Sequence, residues 1–186
     1  SKLMGKNMEA NKGFLNFPSG SFIIVTSKDN DFINKLISGI SENTTIGFGM
    51  RFIGILPIKE KFFNGWNNFI TADSGFILKK IGEKNKYHTL NDEDFIQTLE
   101  KRTIIKLSKI NPNLNFENFK IVIRKHAGNK VVNVYSKNIK NQSNVCYFNL
   151  YSNKDVAETL YNYGIGNSTG SGFGTIYTNN FKDFYR

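Results

Sequence analysis

Apolar positions along the chain change period from stretch to stretch, and those changes mark its elements. Residues 69–80 are mostly apolar and broken at Ser74-Gly75, which predicts a strand with a bend or bulge. Asn91 then predicts a helix N-cap. Asp92, Glu93 and Asp94 fill the first turn and Lys106 and Lys109 the last, the polarity a helix dipole favours. Phe95, Ile96, Leu99, Leu107 and Ile110 keep a 3.6-residue period until Pro112 stops the helix. Residues 119–124 and 131–135 read as strands flanking a turn at Ala127-Gly128-Asn129, and 145–151 as a further strand. Residues 153–163 read as a second amphipathic helix, capped by Ser152 or Asn153, with Val156, Ala157, Leu160 and Tyr161 on one face. Residues 173–178 close as a strand.

With the inserted strand at 131–135 set aside, this order is β-α-β-β-α-β, a ferredoxin-like unit whose two helices cover one face of an antiparallel sheet. The first half repeats part of it. Residues 14–17 and 21–26 read as strands around Pro18-Ser19-Gly20, and 29–41 as a helix with Phe32, Ile33, Leu36, Ile37 and Ile40 on one side. Residues 45–56 read as one long strand with Ile46, Phe48, Met50 and Phe52 alternating. That is β-β-α-β only, which leaves a sheet edge and one side of the sheet uncovered. The expectation is a further strand and helix, roughly 40–50 residues, before Ser1, or an edge lent to a partner. The predicted class is α+β, two ferredoxin-like (RRM-like) units in tandem, the first incomplete at its N-terminus. Residues 1–58 form the first unit, 59–68 a linker, and 69–186 the second unit with its hairpin and glycine-rich loop.

Composition narrows the possibilities. Hydrophobic residues make up 39% of the chain, with 17 Phe and 8 Tyr, enough for real cores and against a disordered chain. No run approaches the ~18 uninterrupted apolar residues of a membrane span, and the opening residues lack the apolar region of a secretory leader. Cys146 is the only cysteine, which excludes an intrachain disulfide and a cysteine-built zinc site. A cytoplasmic setting without a membrane partner is expected.

The net charge of +10 is unevenly placed. Residues 1–119 hold 16 Lys/Arg against 12 Asp/Glu, while 120–186 hold 9 against 3. Lys120, Arg124, Lys125, Lys130, Lys137 and Lys140 fall in one stretch that contains no acid. A one-signed patch of this kind is the footprint of a polyanion partner, against the plainer reading of a solvated lysine-rich surface.

The most specific motif lies between the last helix and the last strand, from Gly164 to Gly174, with glycines at 164, 166, 170, 172 and 174. Gly164 stands where a helix takes a left-handed C-cap, and the other glycines would let backbone N–H groups crowd towards an anion. Context excludes three known glycine loops. The dinucleotide fingerprint follows a strand and opens a helix, the P-loop needs Gly-Lys-Ser/Thr, and the kinase loop joins two strands ahead of a lysine strand. The plainer alternative is a Gly/Ser-rich connection.

Gly-hydrophobic-Gly, five residues, then Gly-hydrophobic-Gly near the C-terminus resembles the signature loop of the RAMP superfamily of CRISPR proteins. More narrowly, the chain resembles the sixth Cas family, the endoribonuclease that cuts CRISPR repeat RNA. Ser1-Lys2-Leu3-Met4-Gly5 resembles the end of the family's second strand, and residues 69–75 its strand ending in Ser-Pro, with Gly75 in place of proline. Asn167-Ser168-Thr169 replaces a stretch that commonly carries Lys or Arg. The resemblance implies metal-independent processing of precursor CRISPR RNA into guide RNA, with no cofactor or metal. It implies CRISPR repeat RNA as partner, and other Cas proteins of an effector complex as further partners. The runner-up is a non-catalytic RNA-binding RAMP subunit. A generic RRM lacks support, because neither half carries that module's aromatic Lys/Arg-Gly-Phe-Gly/Ala-Phe strand.

That chemistry needs a base titrating near neutrality and a cation for the phosphorane-like transition state. The family's catalytic histidine falls, by strand count, before Ser1, so no catalytic residue is assigned. His88 reads as surface structure ahead of a helix, and His126 as an RNA contact within the basic turn. Asp92, Glu93 and Asp94 are consecutive and are accounted for as helix N-terminal acids rather than metal ligands. No Gly-x-Ser-x-Gly elbow is present. The expected RNA-binding residues are Lys120, Arg124, Lys125, His126, Lys130, Lys137, Lys140, Gly164, Gly166, Ser168, Gly172 and Gly174. Tyr135 and Tyr147 read equally as base-stacking or sheet-filling residues, and Trp66 as packing where the halves meet.

Overall fold

The structure is a computed structural model that describes residues 3–5, 9–11, 14–16, 21–23, 25, 27, 29–47, 50–55, 60–72, 74–83, 86–134 and 139–178. Its second half runs β7 (Gly65–Thr71), α2 (Phe95–Ile110), β8 (Lys120–Val134), β9 (Ile139–Ser152), α3 (Lys154–Tyr163) and β10 (Ile176–Thr178). The four strands lie in the order β10-β7-β9-β8, every neighbour antiparallel. This is the ferredoxin-like arrangement, and the fold is α+β as expected. Alternation along β7 shows why one face is the core. Asn67, Phe69 and Thr71 are buried, while Trp66 and Asn68 are exposed on the other side. Phe69, Phe76, Phe95, Leu99, Leu107, Phe148, Leu150 and Leu160 fill the space between the sheet and helices α2 and α3. Each such buried side chain contributes roughly 1.5–3 kcal/mol of transfer free energy.

Several element boundaries differ from expectation for local reasons. The expected turn at 127–129 is not a turn: β8 continues through it to Val134. Pairing with β9 skips Arg124 and Ala127, so two bulges, the second helped by Gly128 at φ +114°, absorb the residues that resemble a turn. Helix α2 starts at Phe95 instead of near Asn91, because the Asp92 carboxylate accepts from the Thr89 N–H at 3.0 Å and holds a separate turn before the helix. Helix α3 is capped by Asn153, whose Oδ1 accepts from the Val156 N–H at 3.0 Å. Strand β7 begins at Gly65, inside the stretch read as a linker.

The first half has β1 (Leu3–Gly5), β2 (Glu9–Asn11), β3 (Phe14–Asn16), β4 (Ser21–Ile23), α1 (Asn30–Glu42), β5 (Thr45–Gly47) and β6 (Met50–Arg51). Residues 14–16 do not pair with 21–23 across Pro18. Instead β2 pairs with β3 inside an outer β1–β4 pair, a nested hairpin. The expected single strand over 45–56 is instead two short antiparallel strands, Gly47 opposite Met50, with Gly47 interrupting the β-formers. Helix α1 is capped by Asp29 and keeps its apolar stripe, yet no residue of it is fully buried, and Phe32 is 48% exposed. No helix among the described residues is long and apolar enough to cross a membrane.

Candidate nucleic-acid interface

The glycine-rich loop is built by close approach to the turn after β7. Gly75, Gly164, Gly166, Gly172 and Gly174 all have positive φ. A Cβ on Gly174 would lie 2.0 Å from the Ile165 carbonyl oxygen, and one on Gly75 would lie 2.4 Å from that of Asn144. Main-chain bonds hold the contact: Ile165 N–H to Gly174 O at 2.9 Å, Gly174 N–H to Gly75 O at 2.8 Å, and Asn167 N–H to Ile77 O at 2.8 Å. The Ser171 and Gly172 amides are also taken, by Ser168 and Thr169 carbonyls around the 3₁₀ turn Thr169–Ser171. Ser168, at φ +59°, leads into that turn. These five amides are taken up within the loop and by the 75–77 segment, and Gly164, Gly166 and Gly174 serve close packing.

Two cations from α2 grip this loop. Lys106 Nζ donates to the carbonyls of Tyr163 and Gly164, both at 2.9 Å, with Gly166 O and Thr169 Oγ1 at 3.5 and 3.4 Å. Burial pushes its ammonium down to about 8. One turn earlier, Arg102 donates to the Lys79 carbonyl and to Asn167 Oδ1, which also accepts from the Lys79 N–H.

The loop connects to the basic hairpin through one extended segment. Asn167 pairs with Ile77, Phe76 with Asn144 of β9, and Asn144 with Asn129 of β8. Three ladder steps place the loop backbone roughly 14 Å from the hairpin's far arm. Asn144 is the fully buried hub: its side chain accepts from the Leu90 N–H and donates to the His88 carbonyl, both at 3.1 Å.

Of the expected cations, Lys120, Arg124 and Lys125 are exposed on β8. Backbone register sets His126 opposite Cys146, Lys130 opposite Ser143 and Lys140 opposite Asn133, while Lys137 lies outside the described residues. Lys130 is therefore near the loop end of the hairpin. Lys120 is eight paired positions away along β9, roughly 27 Å, at the other end of the sheet.

His88 Nδ1 lies 3.3 Å from Asp94 Oδ1 and 3.8 Å from Asp92 Oδ2. Asp92 and Asp94 thus converge despite their spacing, and among the described residues this trio has metal-ligand character. The Lys80 ammonium, 3.6 Å from Asp92 Oδ2, already supplies a positive charge there. A cavity of about 590 Å³ opens where the head of α1 meets α3, but Glu60, Asp155 and Glu158 line it, which disfavours a phosphate chain. Phe62, 5.3 Å from Tyr161 and 6.3 Å from Phe69 between ring centroids, fills the junction expected for Trp66.

The family model for CRISPR associated protein Cas6, C-terminal, matches residues 58–177, which run from just before β7 to the end of β10. The chain belongs to the Cas6 family. A solved structure named CRISPR associated protein Cas6 superposes with a TM-score of 0.70 at 20% identity, covering 95% of this chain and 75% of that one. A Cas6-related protein from Pyrococcus furiosus gives 0.67 at 21% identity, over 96% and 76%. A RAMP protein described as binding different RNA substrates gives 0.69 at 21%, over 96% and 77%. At these identities the likeness concerns the fold. No curated protein matches the chain in sequence. In this Cas6-family chain Gly75 lets the β7 turn touch both Asn144 and Gly174. Sequence reasoning missed Arg102, Lys106 and Asn144, because cations and an asparagine in a helix or strand look like ordinary surface residues until the loop folds onto them.

Proposed function

We propose that this Cas6-family chain binds CRISPR repeat RNA along the β8–β9 hairpin and its glycine-loop end, and processes precursor CRISPR RNA without a metal. The observation that supports this reading is the continuity from the acid-free, Lys- and Arg-bearing β8–β9 arm through Phe76–Ile77 to the loop. Lys120, Arg124, Lys125, Lys130 and Lys140, with Lys137, supply phosphate contacts. Gly170 and Ser171 form the exposed rim of the loop.

In the processing step a ribose 2′-oxygen attacks the adjacent phosphorus, the bond to the 5′-oxygen breaks, and a 2′,3′-cyclic phosphate and a 5′-hydroxyl result. A base takes the 2′-OH proton and an acid returns one to the leaving oxygen. His88 faces Asp92 and Asp94 rather than the loop, and it is not assigned either role. The second reading is a RAMP subunit that holds RNA within an assembly of other Cas proteins without cutting it. Incubation of the full-length protein with repeat RNA in EDTA separates the readings. A cyclic-phosphate product supports processing, tight binding without product supports the subunit, and absence of binding overturns both.

A further inference from the structure

The sheet has a second face, away from α2 and α3, and its surface differs from the glycine-loop end. Direct cross-strand partners share a face, so one row there reads Trp66, Tyr151, Lys120 across β7, β9 and β8. The next row reads Asn68, Asn149, Val122. Trp66 is 47% exposed and Tyr151 37% exposed, with ring centroids 5.1 Å apart in an edge-to-face contact. Arg124 reaches this row through Asn149. With its amide oriented to match donors to acceptors, Asn149 accepts from Arg124 Nη2 and Nε at 3.0 and 2.9 Å and donates to Asn68 Oδ1 at 2.9 Å.

Two features decide what this surface fits. An exposed indole and phenol side by side offer π-faces to a flat partner, since each is only part-covered by the other. And the four strands β7, β8, β9 and β10 contain no aspartate or glutamate at all. A surface that must admit phosphates gains from excluding acids. Lys120, two strands from Trp66, stands about 10 Å away, within reach of the backbone of a nucleotide whose base lies on the aromatic pair.

We infer that Trp66 and Tyr151 form a stacking site for unpaired RNA bases, with Lys120 and Arg124 taking the adjoining phosphates. The inference rests on the RNA reading above and adds a single-stranded segment to it, held on the face opposite the helices. Stacking of this kind tolerates any base, so the site reads strandedness rather than sequence.

Trp66 is the only tryptophan, so the site reports on itself. A ten-nucleotide unstructured oligoribonucleotide and a ten-base-pair blunt RNA duplex are each titrated into the protein. Fluorescence anisotropy of labelled RNA follows binding, and tryptophan emission follows Trp66. The single strand is expected to quench Trp66 at the concentrations where anisotropy rises, and the duplex to bind without quenching. Trp66→Ala is expected to weaken single-strand binding by about 5- to 100-fold, and Trp66→Phe by much less. RNA that binds while wild-type emission stays constant overturns the stacking site and leaves the RNA reading standing. Single-strand affinity unchanged in Trp66→Ala does the same, and points to a protein partner for this face. No anisotropy change with either RNA overturns both together.

Discussion

Lys106 puts a charge inside a ring of loop oxygens, and that makes it testable on its own. Its ammonium donates to the Tyr163 and Gly164 carbonyls at 2.9 Å, while burial lowers its pKa from 10.5 to about 8. Lys106→Met leaves those carbonyls without their donor and is expected to cost about 1–3 kcal/mol in urea unfolding at pH 7. Between pH 8 and 10.5 the unfolded chain holds a proton at Lys106 that the folded chain has released, so this group's contribution to stability rises with pH across that window. The gap between wild type and Lys106→Met should therefore widen from pH 8 to pH 10, and a narrowing gap would contradict the burial. At this scale the sequence shows residue types but not their neighbours. The helix-capping role of Asn153 was legible because a cap is local, whereas Lys106 and Asn144 act across 57 and 54 residues or more.

The glycine loop is the element most readable in advance and most changed in meaning by its geometry. Its spacing carries the resemblance read from the sequence, yet its amides are largely taken and Gly164, Gly166 and Gly174 lie close against Gly174, Ile77 and Ile165 carbonyls. A paired substitution separates the two roles. Gly174→Ala meets the Ile165 carbonyl at 2.0 Å with φ at +73°, and is expected to cost more than about 2 kcal/mol. Gly170→Ala meets nothing within 4 Å and is expected to stay within about 0.5 kcal/mol of wild type. Equal urea midpoints for the two would show the loop to be looser than described. Strand β8 teaches the converse. Ala127-Gly128-Asn129 carries turn chemistry, but Val131 and Val132 still find partners at Gln142 and Asn141, so the ladder continues and the glycine serves a bulge. A turn and a bulge ask for the same residues, and only cross-strand pairing distinguishes them.

For the whole molecule, the β-α-β-β-α-β order and α+β class follow from apolar periodicity, because each helix and strand of the second half has a continuous core face to bury. The first half was less legible. Its strands are two or three residues long, its pairings are nested, and α1 keeps Phe32 and Ile37 substantially exposed, so periodicity there had little burial to report. Charge acts at this largest scale: acids gather around the α1–α3 cavity while the four-stranded sheet has none. The direct test is the salt dependence of RNA affinity, measured as log K against log[KCl] for wild type and for Lys120→Ala/Arg124→Ala/Lys125→Ala. Each lost phosphate contact to a single strand removes about 0.7 from the slope, so the triple variant should be shallower by about 2. An unchanged slope would contradict RNA binding on this face.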